Sequence, residues 1–350
     1  MGVNEIVIEN PQSKVDSVAS CSGVSESVTG VSLRIRFCRV AIGFSGCALG
    51  LLVFSYFGQY SFYAELVSNF RLQVLIAVAT TGVAIGLLGG MRWWVAWVGI
   101  GFVLVLLGVG WSIFSGPARG IQPGQWTEAV RLMTFNVLGS NETPQRVVRV
   151  ISENRPDVVA VIEYSSDWTQ HLQPLHADYP YRLVQPRWHG FGIALFSKFP
   201  IVGSSVHQLA DDRTDSPMLI ATLDLGSEKV LRLAAVHLLA PMQPERMSIR
   251  NRQMKEVEHW LPPKDVPTVL VGDFNCVPWS PFMKALMRGT GLRDSRDGWG
   301  YQGSWPALFW PMLIPIDQAL VSSDVAVIDR QVIADPTGSD HLPVLLEIGF

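Results

Sequence analysis

Six apolar runs in the C-terminal two thirds of the chain begin or end on a side chain able to do chemistry. TFNVLG delivers Asn136, and VVAVIEYS delivers Glu163. LRLAAVHLLAP carries His237, and TVLVGDFN carries Asp273 and Asn275. Asp317 opens the strand-like run in IPIDQALVS, while Asp340 and His341 stand just before the last run in GSDHLPVLLEI. A single polar residue at the end of an apolar run is ordinary; a set drawn wholly from Asp, Glu, Asn and His is not. Strand ends converge on one rim of a sheet, so these side chains can share a cleft. Their chemistry would be hard-cation binding and proton transfer. Carboxylates suit Mg²⁺, which takes one or two of them and keeps several waters. An imidazole changes charge near neutral pH and needs a partner to fix its tautomer.

The elements that must position these groups are read from short apolar runs bounded by turn residues. Strands are predicted over 131–136, 158–162, 192–197, 218–225, 230–237, 267–272, 316–321, 325–333 and 343–348. Helices are predicted over 142–154, 244–261 and 280–288, the first ended by Arg155-Pro156. Many strands with few helices imply α/β layers with mixed or antiparallel sheets. Arg246, Arg250, Arg252 and Lys255 make a basic helix face, read as solvated. His171, His176, His189, His207 and His259 fit no pattern and read as surface residues.

The rest of the chain has another character. Of 350 residues, 48% are hydrophobic and 16% charged, against about 25% charged in an average soluble domain. Such a composition excludes disorder. Residues 1–127 carry 7 Lys+Arg and 5 Asp+Glu, whereas 128–350 net −5. Uncharged runs of 25, 20 and 26 residues follow Arg39, Arg71 and Arg92, each long enough for the ~20 residues of a spanning helix. Three transmembrane helices are therefore expected, at about 40–57, 72–90 and 93–114. The division is a tail at 1–35, a membrane region at 36–115, a Gly/Pro-rich linker at 116–127 and a domain at 128–350. Arg34, Arg36, Arg39 and Arg92 oppose Arg71 alone, which puts the N-terminus in the cytoplasm. Three crossings then make the large domain extracytoplasmic, on the periplasmic side of a bacterial inner membrane. The four cysteines form no C-x-x-C pair, which argues against a thiolate zinc site.

In chain order the motifs are FN, Glu163 after an apolar strand, GIALFSK, VHLLAP, GDFN, ID and SDH. This ordered set resembles the endonuclease/exonuclease/phosphatase superfamily of DNase I-like fold, over about residues 130–350. The resemblance implies a four-layer αββα sandwich and metal-assisted hydrolysis of phosphate esters. It implies Glu163 as metal ligand, Asn136 as its direct or outer partner, and Asp340 on the metal or orienting water. Mg²⁺ is the expected cofactor, with Mn²⁺ as a substitute. It further implies His341 as general base and Asp317 as the group fixing its tautomer. Asp273 would orient the attacking water, Asn275 would hydrogen-bond a phosphate oxygen, and His237 would bind phosphate or assist the leaving oxygen. The sequence departs from the family where Asp317 is followed by Gln318, a place often held by His or Tyr. Residues 299–315, WGYQGSWPALFWPMLIP, lead directly into Asp317 and should pass close to the rim. The expected partners are the bilayer and a phosphodiester from nucleic acid or a lipid headgroup; nothing points to a protein partner. A net charge of −5 over 128–350 argues against tight duplex binding. The alternative is a non-catalytic membrane receptor or scaffold that kept the fold, which should have lost Glu163, Asp273 or His341. All three are present.

Overall fold

A computed structural model describes residues 22–89, 129–209, 215–261, 265–335 and 337–349. The first described segment is helical: α1 (Ser22–Phe54), α2 (Phe62–Asn69) and α3 (Arg71–Gly89). No proline interrupts 22–39, and α1 accordingly begins ahead of the apolar run that was expected to define it. Ile35–Phe57 is the one helix among the described residues long and apolar enough to cross a membrane. Only 17% of its most apolar stretch is buried, unlike the core helix of a soluble protein. The second expected span exists only as the α2–α3 pair, bent by 70°. The expectation of three transmembrane helices is corrected to one candidate span among the described residues, or two if the bent pair is counted as one, and the third expected helix, 93–114, lies outside the described residues. The bend has a local cause. Arg71 turns back to α1's end, its Nε donating to Ser55 Oγ at 2.9 Å and its Nη2 to Ser55 O at 2.6 Å. What reads as a loop at 58–71 therefore contains α2, capped by the Ser61 hydroxyl.

From Ala129 onward the chain builds two six-stranded mixed sheets. Their strands are β1 (Ala129–Asn136), β2 (Val158–Ile162), β3 (Tyr181–Gln185), β4 (Ile193–Ser197), β5 (Ile201–Gln208), β6 (Pro217–Gly226), β7 (Lys229–His237), β8 (Thr268–Asp273), β9 (Arg293–Asp294), β10 (Asp317–Val321), β11 (Ala326–Val332) and β12 (Val344–Gly349). One sheet has the order β11-β12-β1-β2-β4-β3, the other β5-β6-β7-β8-β10-β9. Helices α4 (Pro144–Asn154) and α5 (Ser166–His171) accompany the first; α6 (Pro244–Trp260) and α7 (Pro281–Thr290) accompany the second.

Side-chain parity sorts the core into three seams, because successive strand residues point to opposite faces. Leu132, Val158, Ala160 and Ile162 of one sheet meet Leu231, Leu233, Val269, Val271 and Ala319 of the other. Met133, Phe135, Val159 and Val161 face outward onto Val147, Ile151 and Trp168. Val236, Leu270 and Leu320 face outward onto Met254, Val257, Met283 and Leu286. The layers run helix, sheet, sheet, helix. The same parity extends to the strand ends: Asn136, His237, Asp273 and Asp317 continue the inner faces of β1, β7, β8 and β10. Register aligns them, with His237 paired to Asp273 across parallel β7–β8 and Asp317 to Asp273 across antiparallel β8–β10.

Candidate active site

Asp273 is the centre of the rim and is 1% exposed. Its Oδ2 lies 3.7 Å from His341 Nε2, 3.6 Å from His237 Nε2 and 3.2 Å from Asn136 Nδ2. Its Oδ1 accepts from the Asn275 amide at 2.8 Å. Burial pushes its pKa up, the two histidines oppose that and Asp317 adds to it, leaving the carboxyl at about 6.

His341 is 5% exposed, and its Nδ1 meets Asp317 Oδ2 at 2.8 Å. A carboxylate only accepts, so Nδ1 carries the proton and Nε2 faces the cleft. Burial disfavours the charged ring, but Asp317 and Asp273 outweigh it and raise the pKa to about 10. Ser339 fixes the turn beneath the ring, with Oγ donating to Asn136 O at 2.7 Å and accepting from His341 N at 3.1 Å. Ser339 belongs to the SDH motif, yet the sequence alone assigned it no task.

Glu163 lies just past β2 with φ +65, a left-handed turn that swings its carboxylate across the rim. Oε1 accepts from Asn136 Nδ2 at 3.0 Å and Oε2 from the Gly139 amide at 2.8 Å. The Asn136 amide has two protons and three neighbours, Glu163, Asp273 and His341 Nε2 at 3.5 Å. The longest of these leaves His341 Nε2 the least engaged. His237 Nδ1 lies 2.9 Å from the Gly190 carbonyl, so that nitrogen also carries the proton and Nε2 points to Asp273. Asn275 stands beyond β8 at φ +47, its Nδ2 donating to Leu238 O at 2.9 Å. Asp340 Oδ2 accepts from Trp305 Nε1 at 3.1 Å. Trp305 comes from the aromatic 299–315 segment, which does reach the rim; no motif marked this residue. None of His171, His176, His189, His207 and His259 is buried or joins the cluster.

All eight sequence-derived residues thus stand at the strand-end rim, though only some touch one another. Two features fit a divalent cation. Asp340 Oδ1 and Asp317 Oδ1 are buried acceptors without a hydrogen-bond donor, a costly state that a cation relieves. Ligand atoms of Asp273, Asp317 and His341 lie within 4.8 Å of one another, close enough to hold a metal ion. A metal on Asp317 Oδ2 or His341 Nδ1 would displace their 2.8 Å hydrogen bond. Glu163, Asn136 and Asp340 offer oxygen donors without that cost.

The model of the endonuclease/exonuclease/phosphatase family matches residues 133–341, from the outer face of β1 to His341 itself. The chain belongs to that family. No curated protein matches its sequence. Among solved structures it is similar to an endonuclease/exonuclease/phosphatase from Beutenbergia cavernae, at 22% identity over 64% of this chain and 72% of that one, TM-score 0.51. It is similar to D. rerio TDP2 complexed with single strand DNA product, at 17% identity over 64% and 100%, TM-score 0.54. The human Nocturnin catalytic domain with bound sulfate anion is similar at 20% identity over 66% and 96%, TM-score 0.53. At these identities the likeness is one of fold.

Proposed function

We propose that this family member is a membrane-anchored, metal-dependent phosphodiesterase. The observation that carries the reading is the Asp317–His341 pair at 2.8 Å, set beside the Asn136–Glu163–Asp273 network on one rim. Glu163, Asn136 and Asp340 hold Mg²⁺ or Mn²⁺ in this reading, and the cation supplies charge neutralisation at the phosphate. His341 moves the proton of the attacking water through Nε2, and Asp317 holds the ring. Asp273 orients that water, while Asn275 and His237 contact the phosphate and the leaving oxygen. A scaffold without turnover would not need a buried pair of this geometry.

A phosphodiester presented at a bilayer is favoured over duplex DNA. Leu308, Phe309 and Trp310 are 88%, 59% and 78% exposed. Their segment is tied to the apolar α3, with Gln73 Nε2 donating to Leu313 O at 2.9 Å. The full chain in detergent, supplied with Mg²⁺ or Mn²⁺, is assayed on bis-p-nitrophenyl phosphate, sphingomyelin vesicles and plasmid DNA. The expected result is metal-dependent turnover, lost in large part in Glu163→Gln because a charged ligand becomes a neutral amide. Cleavage of DNA alone would make it a nuclease; no turnover of any substrate would favour the scaffold.

The reading includes an extracytoplasmic catalytic domain. α2, between the end of α1 and the start of α3, packs on that domain through Trp279 Nε1, which donates to Ser68 O at 2.6 Å. Arg34, Arg36 and Arg39 lie at the other end of the apolar span Ile35–Phe57, the end that faces the cytoplasm in this reading. A return crossing by the apolar run 93–114, which lies outside the described residues, is part of this reading. A reporter fused after Phe350 should be active outside the cytoplasm; activity only inside would reverse the orientation.

A further inference from the structure

Arg250 was expected on the solvated basic face of α6. It is instead 0% exposed, and so is the carboxylate it meets, that of Glu65 in α2. The two lie 185 residues apart in sequence, with Arg250 Nη2 3.3 Å from Glu65 Oε1. Ser280 Oγ donates to the same oxygen at 2.6 Å. On its other side, Arg250 Nη1 donates to the Asn275 carbonyl at 3.0 Å, and Nη2 and Nε donate to Asn251 Oδ1.

Asn275 makes this more than a fastening. Its backbone is left-handed, a conformation asparagine visits more readily than most residues, so what fixes it here is its hydrogen bonding. Three bonds do so here: its N–H to Asp273 Oδ1, its Nδ2 to Leu238 O, and its carbonyl from Arg250. The first holds the carboxylate at the centre of the site. The third depends on a guanidinium that has no access to water. A buried charge without its counter-ion is strongly unfavourable, so Arg250 stays in place only while Glu65 does.

We propose that Glu65 is a positioning residue of the site on the far side of Arg250: α2 delivers its carboxylate into the catalytic domain, it neutralises Arg250, and Arg250 holds Asn275 and hence Asp273. The N-terminal helices are on this account part of the catalytic unit. The proposal rests on the phosphodiesterase reading for its kinetic arm alone.

The test compares full-length wild type, Glu65→Gln, and the double variant Glu65→Gln/Arg250→Met in detergent. Three quantities are read: thermal midpoint, kcat and KM on bis-p-nitrophenyl phosphate, and hydrogen exchange of peptides spanning 273–280. Glu65→Gln lowers the midpoint, speeds exchange in 273–280, and cuts kcat by about 10–100-fold, the scale of a small misplacement of a reacting group. The double variant removes both buried charges, which is often neutral for stability, so its midpoint returns toward wild type. Its kcat stays low, because the Asn275 carbonyl still lacks its donor. Recovery of kcat together with the midpoint would overturn the proposal and leave Glu65 a fastening only. Wild-type kcat in a folded Glu65→Gln would do the same. A wild type that turns over nothing sinks the phosphodiesterase reading instead, and the 273–280 exchange then decides the positioning by itself: unchanged exchange in Glu65→Gln overturns it.

Discussion

His341 stands between two carboxylates, and its behaviour with pH follows from them. A ring whose pKa is raised to about 10 is protonated at neutral pH and becomes a base only as pH climbs. Activity of the full chain should therefore rise through an alkaline limb. In Asp317→Asn the carboxylate that favours the imidazolium is gone, so the limb moves to lower pH while its plateau falls. In His341→Ala the limb vanishes and kcat drops by about 10²–10⁴-fold, the usual worth of general acid–base catalysis. An alkaline limb that stays put in Asp317→Asn would break the pairing. Stability carries the opposite sign. The folded pKa exceeds the ordinary 6.5 of the unfolded chain, so the ring's contribution is complete below that pH. It is lost as pH rises toward 10.

At the level of strands, the site was legible because its groups sit at the ends of apolar runs and stand in the order that resembles the family's. In the structure Asn136, His237, Asp273 and Asp317 all fall on positions that continue the inner faces of their strands. Glu163 needed more: its left-handed φ of +65 re-aims a residue that parity alone would turn away from the inner face. Trp305 was illegible, since its bond to Asp340 joins an irregular segment to a turn with no period linking them. Arg250 was misread for a related reason. Its neighbours Arg246 and Arg252 suggested a charged face, and the compensating carboxylate comes from a helix beyond the reach of any local pattern. The glycine of GDFN has a definite task in the β7–β8 pair. Gly272 sits at φ +139, and a Cβ there would lie 1.9 Å from the Val236 carbonyl oxygen. That oxygen is backbone and cannot swing aside, so Gly272→Ala must pry the strands apart at the Val236–Gly272 row, next to the one that pairs His237 with Asp273. Overpacking typically costs about 1–3 kcal/mol, and the φ strain adds to it. Denaturant melts should show that loss together with a fall in kcat exceeding that of an outer-strand substitution of equal cost; a wild-type melt would mean the strands do not approach as described.

Over the whole molecule, the linker at 116–127 reads as the place to cut, with a self-sufficient domain beyond it. The contacts argue otherwise. Arg250 draws its counter-charge from Glu65, Trp279 its hydrogen-bond acceptor from Ser68, and the apolar cluster of Val277, Ile314 and Ile316 its cover from Phe70. A fragment of residues 120–350 loses all three at once. Leaving one partner of a buried ion pair uncompensated typically costs about 3–5 kcal/mol, a large part of the stability of an ordinary domain. Cys276 offers a direct readout. It is fully buried beside Glu65, and burial pushes its thiol up to about 11 despite the opposing charge of Arg250. It is also the sole cysteine after Cys47, so the fragment contains no other. In the full chain, with Cys21, Cys38 and Cys47 replaced by Ser, Cys276 should resist a thiol reagent under native conditions. In the fragment it should react readily, and the melt should fall well below that of the full chain. A fragment that is monomeric, melts with the full chain and keeps Cys276 protected would show that the helices sit on the domain without completing it.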